Sequence, residues 1–179
     1  MVLNNPFFWA FAGMFALVAG DAIQGSPVIG KNTSFGLAVV LTATFSRVVL
    51  VLPFVTQPRF GEGPVLWVAG GALIAGSLAI MAPLMRLKVL TRPDATEAIH
   101  TRGVFGIVRH PGYLANTLWG LGWAVLFGST IGVILTPAWA SAFWLHALIE
   151  EETLQQQHGT AYKQYMTRVR SRLVPGVPV

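Results

Sequence analysis

Two short runs of polar and aromatic residues interrupt an otherwise apolar chain. The first is Gly103-Val104-Phe105-Gly106-Ile107-Val108-Arg109-His110-Pro111-Gly112-Tyr113. The second opens with Glu150-Glu151-Glu152-Thr153-Leu154 and continues to Gly159, Tyr162 and Tyr165. Together they hold a guanidinium, an imidazole, carboxylates and phenols, a set suited to a ligand that carries both charges and a flat ring. Each piece alone has a plainer reading. An Arg-His-Pro triplet is equally an interfacial loop, and a Glu run after an apolar stretch is usually a solvated helix end. Tyr162 and Tyr165 alone fit an aromatic belt at a membrane boundary. His146 precedes Glu150 by one helical turn and shares its face, which makes it a candidate to line a substrate site. His100 and His158 read as polar loop residues. The histidines form no compact ligand motif, so no metal is expected. The chain has no cysteine, which excludes disulfides, thiolate metal sites and cysteine nucleophiles.

The elements between the clusters decide whether they meet. Residues 113–149 form an apolar stretch too long for one helix and short for two full spans, since a bilayer core takes ~20 apolar residues of helix. Gly128, Ser129 and Thr130 near its middle read as a tight turn. A helical hairpin here returns the chain to the face it left and sets the two clusters side by side. Upstream, apolar runs at residues 6–22, 35–55 and 65–85 read as three further spans, followed by a polar stretch at 86–110. The expected fold class is therefore an all-α polytopic integral membrane protein with about five transmembrane helices, the last two forming the C-terminal helical hairpin. A four-span variant makes the hairpin re-entrant. One domain covers residues 1–179, with three membrane helices in 1–85 and the polar clusters in 86–179. Gly70–Gly71 and Gly120-Leu121-Gly122 permit close helix packing. After Gly159, the residues Tyr162, Tyr165, Met166 and Val169 recur at i, i+3, i+4 and i+7, one face of a short helix. Pro175 and Pro178 end regular structure.

Composition agrees with a bilayer as solvent. Of 179 residues, 54% are apolar and only 11% charged, against roughly 25% charged in a soluble domain, and the mean hydropathy is +0.61. The net charge of +5 does not point to nucleic acid, because no basic stripe or recognised motif accompanies it. An anionic lipid surface explains it better. Arg86, Lys88, Arg92, Arg102 and Arg109 lie in the polar stretch, and Lys163, Arg168, Arg170 and Arg172 in the tail. A hairpin puts both groups on one face, which is cytoplasmic by the positive-inside rule; the loop with Lys31 shares that side and the N-terminus is outside. The first apolar run lacks a positive n-region and reads as a retained anchor. Arg47 stands within an apolar run, where a charge is costly. It is a candidate to pair with Asp21, to hold an anionic substrate group, or to snorkel to headgroups.

Order and spacing make the clusters specific. The segment resembles the isoprenylcysteine carboxyl methyltransferase family and its phospholipid methyltransferase relatives. That family carries Gly-x-Tyr-x-x-x-Arg-His-Pro-x-Tyr before a helical hairpin. Glu-Glu-x-x-Leu, Gly-x-x-Tyr-x-x-Tyr, a basic residue and a proline follow it. This chain has Gly103, Arg109, His110, Pro111 and Tyr113 in the first part, and Glu150, Glu151, Leu154, Gly159, Tyr162, Tyr165, Arg172 and Pro175 in the second. The likeness covers about residues 99–175. Phe105 stands where the family usually has Tyr, Ala115 where Gly is common, and Glu152 extends the acidic pair.

The resemblance implies S-adenosylmethionine as cofactor, bound by the cytoplasmic loops and tail. Gly103, Arg109, His110, Tyr113, Glu150, Glu151, Tyr162 and Tyr165 are the implied cofactor residues, with Arg109 and Glu151 also catalytic. Arg47 and His146 are the expected substrate residues. The implied partners are membrane lipid and a lipidic or small-molecule methyl acceptor, in the cell's inner membrane, with no metal and no nucleic acid. The acceptor is open among an isoprenylcysteine carboxylate, a lipid amine and a small thiol. No dedicated base is evident in the sequence, which favours an anionic nucleophile. Two other classes remain. Some sterol reductases resemble this helical core and use a nicotinamide cofactor, although the short N-terminal half speaks against a large sterol pocket. A non-catalytic scaffold or transporter gives no reason for the paired clusters.

Overall fold

A computed structural model describes residues 2–24, 33–87 and 99–178. Six α-helices follow in order: α1 (Pro6–Gln24), α2 (Thr33–Val51), α3 (Pro64–Arg86), α4 (Pro111–Leu126), α5 (Thr130–His158) and α6 (Thr160–Arg168). Single 3-10 turns precede α1 and α4. No strand is present among the described residues, and the expected all-helical class is what is observed. Side chains 19–24, 33–37 and 39–40, together with residues 25–32 and 88–98, lie outside the described set. The suggested pairing of Arg47 with Asp21, and the basic residues Lys31, Lys88 and Arg92, fall there.

Among the described residues, α3 and α5 are long and apolar enough to cross a membrane. α1 and α2 carry shorter apolar stretches, Pro6–Val18 and Leu41–Val51. α4 has 16 residues, about 24 Å at 1.5 Å per residue, which is short of a ~30 Å hydrocarbon core. Large apolar side chains stand outward along these helices: Phe7, Phe11, Phe15 and Val18 on α1, Val65, Val68 and Leu78 on α3, and Ile134, Leu145 and Ile149 on α5. In water such stripes would drive association; in lipid they face their own kind. Pro137 lies inside α5 without ending it, a tolerance common in membrane helices. The apolar part of α5 ends at Ile149, and Glu150 to His158 continue as its polar last turns.

The chain packs as two compact units, Met1–Ala75 with Leu118–Thr136, and Gly76–Thr117 with Pro137–Val179. In the first, α1 packs along α2, and Leu50, Val51 and Ala124 form a buried core under Trp9, Trp123 and Phe127. Backbones meet where Gly70 faces Gly122. A Cβ on Gly70 would lie 2.6 Å from the Leu126 nitrogen and 2.7 Å from the Gly122 oxygen. The expected close packing at these glycines is therefore a backbone contact. α2 stops at Val51 rather than continuing to residue 55, because Pro53 disfavours the helical conformation at the residue before it. The freed carbonyls are then met by side chains from the following loop. Gln57 Nε2 donates to the Leu50 oxygen at 2.6 Å. Arg59 donates to the oxygens of Val51 at 3.1 Å, Leu52 at 2.9 Å and Phe127 at 2.7 Å, a cation on two helix C-termini. The expected turn at Gly128-Ser129-Thr130 separates α4 from α5, with Gly128 at φ +60° against the Gly61 backbone.

Candidate active site

The second unit holds the residues of both clusters. Pro111 begins α4, where its fixed φ suits the first helical turn and its missing N–H costs nothing. Just before it, the chain runs beside the C-terminal segment: the Arg109 N–H donates to the Ser171 oxygen at 2.9 Å and the His110 N–H to the Arg172 oxygen at 3.0 Å. The Arg109 side chain takes the carbonyls just upstream, Nη1 donating to Val169 at 2.8 Å and to Arg170 at 3.0 Å. Four consecutive tail carbonyls are thus satisfied by two residues of the Arg-His-Pro loop.

Glu151 is the hub of the cluster, only 2% exposed. Its Oε1 accepts from Arg109 Nε at 2.7 Å and from His110 Nε2 at 3.1 Å. Its Oε2 accepts from Arg172 Nε at 3.1 Å and Nη2 at 2.8 Å. A buried carboxylate survives only when so surrounded. Burial alone would raise its pKa, but the bonds from His110, Arg172 and Arg109 lower it to about 2. Arg172 also lies over the Trp144 ring, 4.7 Å from its centroid, a cation–π contact.

His110 bridges the acidic pair. Its Nδ1 lies 3.3 Å from Glu150 Oε2 and its Nε2 3.1 Å from Glu151 Oε1. Burial lowers the imidazole's pKa, yet the bonds and charges of Glu150 and Glu151 outweigh it and the net shift is upward. Carboxylates only accept, so their contacts to both ring nitrogens favour the protonated imidazole. Glu150 differs from Glu151: its side chain is 47% exposed.

Aromatic rings extend the site. Tyr113 stacks between His110, at 5.7 Å and 19°, and Phe143, at 5.5 Å and 14°. His146 meets its edge at 6.4 Å and 64°, and Trp139 adjoins Phe143. Tyr162 and Tyr165 on α6 are buried with Val169 in a small core that includes Ile99, Leu154 and Met166. The Tyr165 hydroxyl donates to the Phe105 oxygen at 2.8 Å, a backbone bond that a Phe at 105 serves as well as a Tyr. Burial raises the pKa of Tyr162, and raises that of Tyr165 to about 12, so both phenols stay neutral. Ala115 is fully buried and its carbonyl accepts from Ser77. Gly103 opens the 3-10 turn at φ +63°, a conformation costly for any other residue.

Of the residues expected to act together, Arg109, His110, Glu150 and Glu151 join in one charged cluster, and Tyr113 and His146 adjoin it through ring contacts. Tyr162 and Tyr165 sit in their own core, with the helix face read from spacing turned inward. Arg47 belongs to the first unit, 5% exposed, its Nε donating to the Ala43 oxygen at 3.3 Å and its guanidinium against Gly120. It is buried in protein and does not snorkel. Sequence reasoning gave Arg172 no role in the site, and passed over Phe143 and Trp144. Trp139, Phe143 and His146 stand at i, i+4 and i+7, a helical stripe that periodicity could have shown.

Comparison with known proteins adds the following. Residues 68–161 match the phospholipid methyltransferase family model. The Protein-S-isoprenylcysteine O-methyltransferase of Schizosaccharomyces pombe is 28% identical over 92 residues, covering 51% of this chain and 37% of that protein. The Delta(14)-sterol reductase TM7SF2 of Mus musculus is 30% identical over 93 residues, covering 49% of this chain and 22% of that protein. Each match spans well under two thirds of the relative's own length. No solved structure matches.

Proposed function

The chain belongs to the phospholipid methyltransferase family, and from that premise we propose that it transfers a methyl group from S-adenosylmethionine to the polar end of an amphiphile at the membrane boundary. The observation that carries the reading is the convergence of the two clusters on Glu151, directly beyond the apolar part of α5. The matched stretch contains the Arg-His-Pro loop and the acidic pair.

The residues fit such a cofactor. Arg109 Nη2 is a buried donor with no hydrogen-bond partner among the described residues, and a ligand carboxylate would complete it. Glu150 presents a half-exposed carboxylate for an ammonium or a ribose hydroxyl. Tyr113, its ring held between His110 and Phe143, would border the adenosine. Arg109 and Glu151, expected to be catalytic, would act by fixing this arrangement while they hold one another. When bound, the cofactor supplies a methyl carbon on a positively charged sulfur. The protein's part is alignment and exclusion of water. We place about five helices in the inner membrane, α4 falling short of a full crossing, with the basic loop and tail on the cytoplasmic side, following the Lys and Arg distribution.

Calorimetry with S-adenosylmethionine on detergent-purified protein tests this. Saturable binding is expected, weakened in Glu150→Gln. A folded wild type that binds none refutes the reading. A second reading, reduction of a sterol or enone with NADPH, is favoured by the likeness to the sterol reductase. Turnover of NADPH with an added enone, without cofactor binding, would select it.

A further inference from the structure

The first unit holds a cavity of about 520 Å³ that shares no residue with the cluster at Glu151. Small-ligand sites run to roughly 300–1,000 Å³. Its walls are Pro53, Arg59 and Glu62 from the loop between α2 and α3, Trp67 from the first turn of α3, and Leu126 and Phe127 at the end of α4. Backbone bonds fix that loop. The Phe60 N–H donates to the Gly128 oxygen at 2.9 Å, and the Thr130 N–H to the Pro58 oxygen at 3.1 Å. The Arg59 guanidinium is tied to the oxygens of Val51, Leu52 and Phe127, so the cavity is formed before a ligand arrives.

A cation and an anion border this one cavity, and they are not spent on each other. Arg59 has five N–H donors; its carbonyl bonds use three, and the others make no bond among the described residues. Glu62 is exposed and has no hydrogen-bond or ion-pair partner among the described residues. Capping two helix ends accounts for Arg59. It does not account for a carboxylate and the rings of Trp67 and Phe127 lining the same space. A carboxylate beside aromatic faces suits an ammonium, and a guanidinium suits a phosphate. The surroundings are apolar. Phe54, Phe60, Val65, Trp67 and Val68 are all exposed, and α3, which begins at Pro64, is long and apolar enough to cross a membrane. Trp67 in its first turn therefore marks the level of the lipid headgroups.

We propose that this cavity is a binding site for the headgroup of a zwitterionic phospholipid, held as a structural ligand and not as a reactant. The phosphate meets Arg59, the ammonium meets Glu62 and the rings of Trp67 and Phe127, and the acyl chains lie along the outward apolar side chains of α3. No bond is made or broken there. A headgroup with a phosphate and no ammonium brings an anion to Glu62 with nothing to offset it, so the site discriminates against anionic lipid. The proposal stands whatever chemistry occurs at Glu151.

Native mass spectrometry of the full-length, delipidated protein, released from detergent with phosphatidylcholine and phosphatidylglycerol in equal amounts, tests this. The wild type is expected to retain phosphatidylcholine in preference to phosphatidylglycerol. Glu62→Gln and Trp67→Ala should each weaken phosphatidylcholine binding by about threefold to tenfold, and Glu62→Lys should turn the preference toward phosphatidylglycerol. Both side chains are exposed, so the unfolding midpoints of these variants without lipid should match the wild type, which separates a lost ligand from a lost fold. Glycerophosphocholine, the same headgroup without acyl chains, is the competitor that distinguishes the source. A wild type that prefers phosphatidylglycerol, or an unchanged preference in all three variants, overturns the site. Displacement of the lipid by an equal concentration of glycerophosphocholine overturns the lipid and assigns the cavity to a soluble zwitterion.

Discussion

Replacing Glu151 by Gln tests whether the charged cluster holds the second unit together. The change keeps shape and volume, so no cavity enters the account. It removes the negative charge that Arg109, His110 and Arg172 share, and it puts an amide NH₂ where one oxygen accepted. Both oxygens of Glu151 face donors, so either orientation of the amide sets N–H groups against N–H groups. Breaking a buried pair by removing one partner costs about 3–5 kcal/mol. At about 2–4 °C per kcal/mol for a chain of this size, the midpoint of thermal unfolding should fall by about 10 °C. Glu150→Gln is the matched control. Its side chain is 47% exposed and makes a single longer contact, 3.3 Å to His110, so a loss below about 1 kcal/mol is expected. Unfolding in detergent, followed by tryptophan fluorescence from Trp144 beside Arg172, reads the difference. Equal midpoints for Glu151→Gln and wild type, or a larger loss in Glu150→Gln, would refute the hub.

Two further outcomes follow from the same geometry. The raised pKa of His110 gives a contribution that is fully present below the ordinary imidazole value and lost as pH rises through the raised one, whereas the lowered pKa of Glu151 gives one present above the ordinary carboxylate value and lost as pH falls toward about 2. The unfolding midpoint should therefore peak in mildly acidic buffer and decline on both sides, and a midpoint still climbing well above neutral pH would contradict the bridge. Gly70→Ala sets a Cβ within 2.7 Å of backbone atoms of α4 and should lower the midpoint sharply, while Gly71→Ala meets nothing within 4 Å and should leave it unchanged or raise it slightly; similar effects from the two would show that α3 and α4 do not touch there.

What could be read from the chain, and what could not, divides along a physical line. Apolar length and a Gly-Ser-Thr break gave the α4–α5 hairpin, and spacing gave the inward face of Tyr162, Tyr165 and Val169, because helix period and turn chemistry are local. The end of α2 was set too late: apolarity runs on through Leu52 and Val55, but Pro53 stops the helix and Gln57 and Arg59 satisfy its last carbonyls. Which charges pair was not legible. Arg109 and Glu151 are 42 residues apart, and the partner that completes their cluster, Arg172, arrives only because the tail runs back beside the Arg-His-Pro loop. Nor does sequence reveal a tautomer. That of His146 depends on one carbonyl a turn below it.

The geometry also separates two kinds of motif residue that a sequence pattern treats alike. Arg109 spends Nε on Glu151 and Nη1 on two tail carbonyls, and Glu151 spends both oxygens on three cations, so their chief work is to fasten the tail. Substituting either would abolish binding of any ligand by releasing residues 169–173, and loss of activity alone could not then be read as loss of a ligand contact. The atoms with capacity directed elsewhere are Arg109 Nη2, which has no hydrogen-bond partner among the described residues, and the exposed face of the Glu150 carboxylate. They comprise a donor and an anion, beside His110 and just past the end of the apolar part of α5. Variants that test ligand chemistry belong at Glu150, whose side chain is half-exposed, and variants that test architecture belong at Glu151, Arg109 and Arg172.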